Sequence, residues 1–163
     1  AYTTRVGEGP FPTELFDADG DKLQQQGAEF GATTGRKRRC GWFDAVVLKN
    51  AIRLNGLTCL AVTQLDVLSG LDTIKVCNGY EYNGVVYDEF PESLKVVENC
   101  KPIYKEFPGW QENIESVGKY DDLPENARKY LKYLQEFAGV PIDIVSVGPD
   151  REQTMFLSND LIS

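Results

Sequence analysis

The apolar positions of this chain switch between two periods, and each switch marks an element. Phe43, Val46, Val47, Ala51 and Leu54 recur at helical spacing. With Asp44 adding negative charge in the first turn and Asn55-Gly56 as a stop, a helix is expected there. A second helix is expected over Leu123 to Ala138, where Ala127, Tyr130, Leu131, Leu134 and Phe137 form one face. Asp122 is its candidate cap, Pro124 suits its first turn, and Gly139 and Pro141 end it. The remaining apolar runs read as strands: a β-rich opening at Ala1 to Val6, Leu57 to Leu65 ending at Asp66, Ile103 to Phe107, Ile142 to Val147, and Thr154 to Leu157. Thr73 to Tyr82 and Val85 to Phe90 flank Asn83-Gly84, a dipeptide that favours a two-residue hairpin turn. Asp17-Ala18-Asp19-Gly20 has the look of a calcium loop, but the position that needs a glutamate is Ala28, so it reads as a turn. Two helix-then-strand units, each strand running into a polar loop, predict an α/β fold. It would be a mostly parallel sheet flanked by helices with an antiparallel hairpin, one domain over residues 1–163, with ligands beyond the carboxyl ends of the strands.

One stretch carries chemistry more densely than the rest. Between Phe30 and Asp44 lie two glycines that let the backbone turn, Gly31 and Gly35, the hydroxyls of Thr33 and Thr34, and four consecutive cations, Arg36 to Arg39. Converging N–H groups, hydroxyl donors and planar guanidinium forks are what a carboxylate or phosphate needs. The bland alternative is a solvated basic turn, or a localisation or nucleic-acid patch. A second glycine loop, Gly7-Glu8-Gly9-Pro10, permits close approach of a ligand to backbone, although a lone G-x-G is as readily structural.

Composition narrows these options. A net charge of −8 sets the basic loop against an acidic background, which argues against a general nucleic-acid binder. No apolar run approaches the roughly 20 residues of a membrane span, and no signal peptide is evident. Cys40, Cys59, Cys77 and Cys100 form no C-x-x-C pair and histidine is absent, so a zinc site is not expected. The cysteines read as reduced, mostly buried thiols of a cytoplasmic protein. Without histidine, proton transfer would fall to carboxylates or to parts not present. The chain opens in a strand-like segment and its one methionine is Met155, so the start reads as a cut, unless an initiator methionine was removed before Ala1.

At this point the motifs resemble one family, adenylosuccinate synthetase, which joins aspartate to IMP using GTP. Thr4 to Glu14, the loop Thr33-Thr34-Gly35-Arg36-Lys37-Arg38-Arg39 with Gly41-Trp42, Leu65-Asp66-Val67-Leu68, Pro108-Gly109-Trp110 and Val147-Gly148-Pro149 are similar to that family, in its order and almost end to end. The resemblance is to the C-terminal portion of that P-loop NTPase-like fold. The family's N-terminal half, with its phosphate loop, catalytic aspartate and catalytic histidine, has no counterpart here. No catalytic residue and no metal ligand is therefore expected in this chain, and the ligands of Mg2+ would lie in the missing half.

The resemblance implies roles residue by residue. Ala32, Thr33, Thr34, Gly35, Arg36, Lys37 and Arg38 correspond to the aspartate-binding loop, with Arg36 also reaching IMP and Arg38 reaching toward GTP. Val6 would lie beside the IMP ribose. Asp66 falls at the guanine-recognition position, where a carboxylate accepts from the ring N–H and the exocyclic amino group, a donor pair that adenine lacks. Leu65, Ser146, Val147 and Gly148 would line the same base. The family usually carries lysine where this chain has Gln64, which keeps aliphatic cover for the base but loses the charge. That change bears on GTP affinity more than on guanine selectivity. The implied partners are IMP, L-aspartate, GTP, the chain's own N-terminal half and a second subunit, as the family acts as a homodimer. Two further readings stand beside this one: a stand-alone module that binds anions or guanine nucleotides without catalysis, and a purely structural fragment.

Overall fold

The computed structural model describes residues 1–157. In chain order these form β1 (Thr3–Arg5), α1 (Ala18–Gln26), β2 (Arg39–Gly41), β3 (Phe43–Asp44), α2 (Ala45–Asn55), β4 (Leu60–Val62), β5 (Thr73–Tyr82), β6 (Val85–Tyr87), α3 (Leu94–Asn99), β7 (Lys101–Pro108), α4 (Glu125–Ala138), β8 (Ile142–Ser146) and β9 (Thr154–Phe156). Short 3-10 turns occupy Asp66–Leu68, Tyr120–Asp122 and Arg151–Gln153. The α/β class is as expected. The strands, however, are distributed over three small sheets: β1 with β2, β3 with β5, β6 and β7, and β4 with β8 and β9. Strands β3 and β5, and β4 and β8, pair in parallel, while β1–β2, β5–β6 and β8–β9 are antiparallel. None of the described helices is long and apolar enough to cross a membrane.

The chain forms two compact units. One contains residues 51–74 and the segment from Phe107 onward. Its helix α4 buries Ala127, Tyr130, Leu131 and Leu134, the face that periodicity predicts, and ends on left-handed Gly139 at φ +72°. The start differs from expectation. Asp122 lies in the preceding 3-10 turn rather than at the cap, and Pro124 takes the cap position with no side-chain bond. Trp110 and Tyr130 stack at a tilt with centroids 6.3 Å apart, and the Trp110 indole N–H donates to Ser69 Oγ at 3.0 Å. Gly109 permits this: a Cβ there would lie 1.7 Å from the Leu71 carbonyl oxygen, a contact no side chain tolerates.

The other unit contains residues 2–50 and 75–106. Here the segment expected to run as helix from Phe43 begins instead as strand, because Phe43 and Asp44 pair in parallel with Val76 and Cys77. The helix therefore starts at Ala45, and β2 and β3 lie between it and the basic loop. Asp44 is the reason for the boundary: its Oδ1 accepts from the Val47 N–H at 3.0 Å as a helix cap, and its Oδ2 accepts from the Tyr80 hydroxyl at 2.6 Å. Asp17 does the same for α1, accepting from the Gly20 N–H at 3.1 Å, so the expected turn is a capped helix. That helix has no apolar stripe to read, since only Gly20 and Leu23 are buried. Asn83 and Gly84 both take positive φ, as the predicted hairpin turn requires. All four cysteines are unpaired thiols, and burial pushes Cys77 up to about 12.

Burial in this unit also pushes the Asp44 acid above the ordinary carboxylate value, against the opposing bonds from Tyr80 and from the Val47 and Val46 N–H groups. The folded state then holds the proton more tightly than the unfolded state. Its contribution to stability is present below the ordinary aspartate value of about 3.9 and is lost as pH rises toward the raised one. The substitution Asp44→Asn keeps an acceptor for the cap and removes the titration. Thermal midpoints measured against pH are expected to fall less steeply for Asp44→Asn than for the native chain across that window.

Candidate functional site

The candidate residues fall into two groups, one in each unit. In the unit of residues 2–50 and 75–106, the basic loop is closed at its base by an antiparallel bridge between Phe30 and Lys37. The Gly31 N–H donates to the Arg36 carbonyl and the Gly35 N–H to the Gly31 carbonyl, both at 2.8 Å, and the Arg38 N–H donates to the Glu29 carbonyl at 2.9 Å. Gly35 adopts φ +63°, and Thr34 Oγ1 accepts from the Arg36 N–H at 3.3 Å. The backbone is thus folded on itself while Ala32, Thr33, Thr34, Gly35, Arg36 and Lys37 stay exposed.

The four cations are not equivalent. Arg36 and Lys37 form no ion pair among the described residues, whereas Arg38 and Arg39 each meet a carboxylate. Arg38 Nη1 donates to Glu29 Oε2 at 3.0 Å, and the buried Glu29 accepts through its other oxygen from the Tyr2 hydroxyl at 2.7 Å. Gln24 Nε2 also donates to the Arg38 carbonyl at 2.8 Å. One nitrogen of the Arg38 fork is therefore already engaged, and its side chain remains partly open to solvent. Arg39 pairs with Glu14. Sequence reasoning missed Glu14, Gln24 and Glu29 because their partners lie 25, 14 and 9 residues away with no local pattern to connect them. Val6 projects into solvent at the end of β1, 78% exposed, just ahead of left-handed Gly7.

In the unit of residues 51–74 and 107 onward, the parallel strands β4 and β8 bring the second group together at their carboxyl ends. The Leu65 N–H donates to the Ser146 carbonyl at 3.1 Å and the Gln64 N–H to Ser146 Oγ at 3.3 Å. Gln64 sits at φ +58°, a conformation that costs a non-glycine residue and turns the chain sharply from strand to 3-10 turn. Leu65 and Val147 are fully buried, and the Val147 N–H is taken by the Gln153 carbonyl at 2.9 Å. Gly148 makes room for the Gln153 side-chain amide, which a Cβ would approach to 2.1 Å. That amide accepts from the Asp150 N–H and donates to the Glu115 carbonyl, both at 3.0 Å, which ties the segment after β8 in place.

Asp66 is the unbalanced member of this group. Its Oδ1 is buried and has no hydrogen-bond partner among the described residues. Burial is the largest influence on its acid and raises it; the charge of Glu115 adds to the shift, and the N–H groups of Asp66 and Val67 oppose it. A buried carboxylate oxygen without a donor is costly in a folded chain. Among the described residues no group of three or more His, Cys, Asp or Glu side chains is arranged to hold a metal ion.

Comparison with known proteins agrees with the motifs. The family model described as adenylosuccinate synthetase matches residues 1–155. The chain is 64% identical over 159 residues to the adenylosuccinate synthetase of Desulforapulum autotrophicum and 62% identical over the same length to that of Geotalea daltonii, covering 98% of this chain in each case. It spans only 37% of the length of either relative. A solved structure of the fully ligated adenylosuccinate synthetase from Plasmodium falciparum superposes with a TM-score of 0.91 at 38% identity, over 96% of this chain and 38% of that one. With a family model over nearly the whole chain, the chain belongs to the adenylosuccinate synthetase family.

Proposed function

We propose that this chain is the C-terminal portion of a GTP-dependent ligase that joins L-aspartate to IMP, and that it contributes the aspartate grip and the guanine recognition. The observation that carries the reading is the place of the half-buried Asp66 just beyond the carboxyl end of the parallel β4–β8 pair, where a guanine would offer two N–H donors that a carboxylate can take. The basic loop supports it from the other group. Arg36 and Lys37, without ion pairs among the described residues, present charge on a folded backbone with Thr33 and Thr34 beside them, suited to the carboxylates of aspartate and to a nucleotide phosphate. The implied chemistry transfers a phosphoryl group from GTP to the IMP oxygen, which the aspartate amine then displaces. Both steps gather negative charge that cations and N–H donors offset.

In this reading the acid–base pair, the phosphate loop and the Mg2+ ligands belong to the remainder of the polypeptide, upstream of this stretch, and the enzyme works as a cytoplasmic homodimer. The absence of any histidine from the sequence supports that division. The test is turnover. Purified chain is incubated with IMP, GTP, magnesium and aspartate while adenylosuccinate is followed, alone, mixed with the separately expressed remainder, and fused to that remainder placed before or after it. Silence alone and activity on mixing, with fusion tolerated only where the remainder precedes Ala1, is the expected outcome. Turnover by the chain alone would overturn the division of labour, and no turnover in any combination would overturn the function.

A further inference from the structure

We propose that Arg5 and Arg39 are positioning residues, two guanidiniums that clamp the Gly7–Pro10 loop by its backbone carbonyls and so set the shape of the nucleotide side of the site. Arg5 and Arg39 are direct partners across the antiparallel β1–β2 pair, and like charges directly opposite one another weaken such a pair. Two arginines in register therefore need acceptors that offset their repulsion. The glycine loop supplies them. Arg39 Nη1 donates to the carbonyls of Gly7 at 3.2 Å and Gly9 at 2.9 Å, while Arg5 donates to the carbonyl of Glu8 at 3.3 Å through Nη2 and to that of Pro10 at 3.1 Å through Nη1.

Four consecutive carbonyls thus alternate between two cations. Glu14 anchors the arrangement, accepting from Arg39 Nε at 2.8 Å and from Nη2, and the Phe11 ring centroid lies 5.5 Å from the Arg39 guanidinium carbon. Glycine is required for the alternation. Gly7 and Gly9 take φ +81° and +121°, and a Cβ on Gly9 would lie 2.6 Å from Arg5 Nη2. A loop whose carbonyl oxygens are all neutralised by cations presents a less negative face to an anionic ligand, and its backbone is held before the ligand arrives. By sequence Arg39 groups with the gripping cations. Its geometry makes it a clasp instead.

This inference rests on the proposed function and on the resemblance, which implies that Val6, next to this loop, lies beside the ribose of IMP. It is tested with Arg39→Lys and Arg5→Lys, each of which keeps the charge but loses the fork. Backbone N–H order parameters of Gly7, Glu8 and Gly9 are measured in this chain by NMR relaxation, and KM and kcat are measured in the enzyme assembled with its remainder. Each variant is expected to lower those order parameters from about 0.85 to below about 0.6 and to raise the KM for IMP by about tenfold, with kcat within about twofold and the KM for aspartate unchanged. Unchanged order parameters would overturn the clamp. Lower order parameters, or a lower thermal midpoint, with an unchanged KM for IMP would reduce the pair to structural support and overturn the positioning role. Should Arg39→Lys fail to fold, Arg5→Lys decides alone, since it leaves the Arg39–Glu14 pair intact. No turnover by the assembled native enzyme would count against the functional reading, and the relaxation measurement would still decide the clamp.

Discussion

Replacing Asp66 with asparagine in the assembled enzyme is expected to raise the KM for GTP by roughly a hundredfold to a thousandfold and to let xanthosine triphosphate replace it. The carboxylate of the half-buried Asp66 offers two acceptor oxygens, and in the proposed function guanine brings two N–H groups to it. Hydrogen bonds to a charged group contribute about 1.5–3 kcal/mol each, and the amide of Asn turns one acceptor into a donor that faces the guanine amino group like against like. Xanthine has a carbonyl where guanine has that amino group, so the new donor finds an acceptor. Stability should move the other way. Burial holds the Asp66 acid above its ordinary value, so a neutral amide removes a desolvation cost and the thermal midpoint of Asp66→Asn should not fall. Steady-state kinetics with both nucleotides reads the switch. An unchanged KM for GTP would remove Asp66 from the site.

Arg36→Ala is expected to raise the KM for aspartate by about a hundredfold in the same assembled enzyme while leaving the fold intact. A guanidinium fork on a carboxylate is worth several kcal/mol when both are desolvated, and the Arg36 side chain has no ion-pair partner of its own to leave behind among the described residues. Arg38→Ala is the contrasting variant. It strips the buried Glu29 of its counter-charge, so it should destabilise the chain by roughly 2–4 kcal/mol before any effect on substrate is counted. Thermal midpoints separate the two variants and aspartate titration ranks them. Equal loss of stability in both would mean that the loop's cations are structural throughout.

How much of this was legible in the sequence depends on whether the cause is local. Helix α4 was readable because its apolar residues recur along one face and Gly139 can take the left-handed turn at its end. The hairpin was readable because Asn83-Gly84 needs only its own backbone. Helix α1 was not, since its composition is polar and its stability comes from the Asp17 cap and from Leu23 buried beneath it. The start of α2 was misplaced for a related reason: Phe43 and Asp44 have the spacing of a helix but find a strand partner in Val76 and Cys77, far along the chain. Local propensity proposes, and a distant hydrogen-bond ladder overrides it.

The candidate site divides along the same line. The chemistry of the residues was determined by the sequence alone: the cluster of glycine, hydroxyl and cation in residues 31–39, the carboxylate at a strand end, and the order of motifs that marks the family. Which of those groups remain available was decided only by the tertiary structure. It engages Arg39 with Glu14 and with the carbonyls of Gly7 and Gly9, partly engages Arg38 with Glu29 and, among the described residues, leaves Arg36 and Lys37 without ion pairs and one buried oxygen of Asp66 without a donor. The physical reason is that charge and hydrogen-bonding capacity are properties of a residue type, whereas their satisfaction depends on partners that only long-range folding brings within about 3 Å.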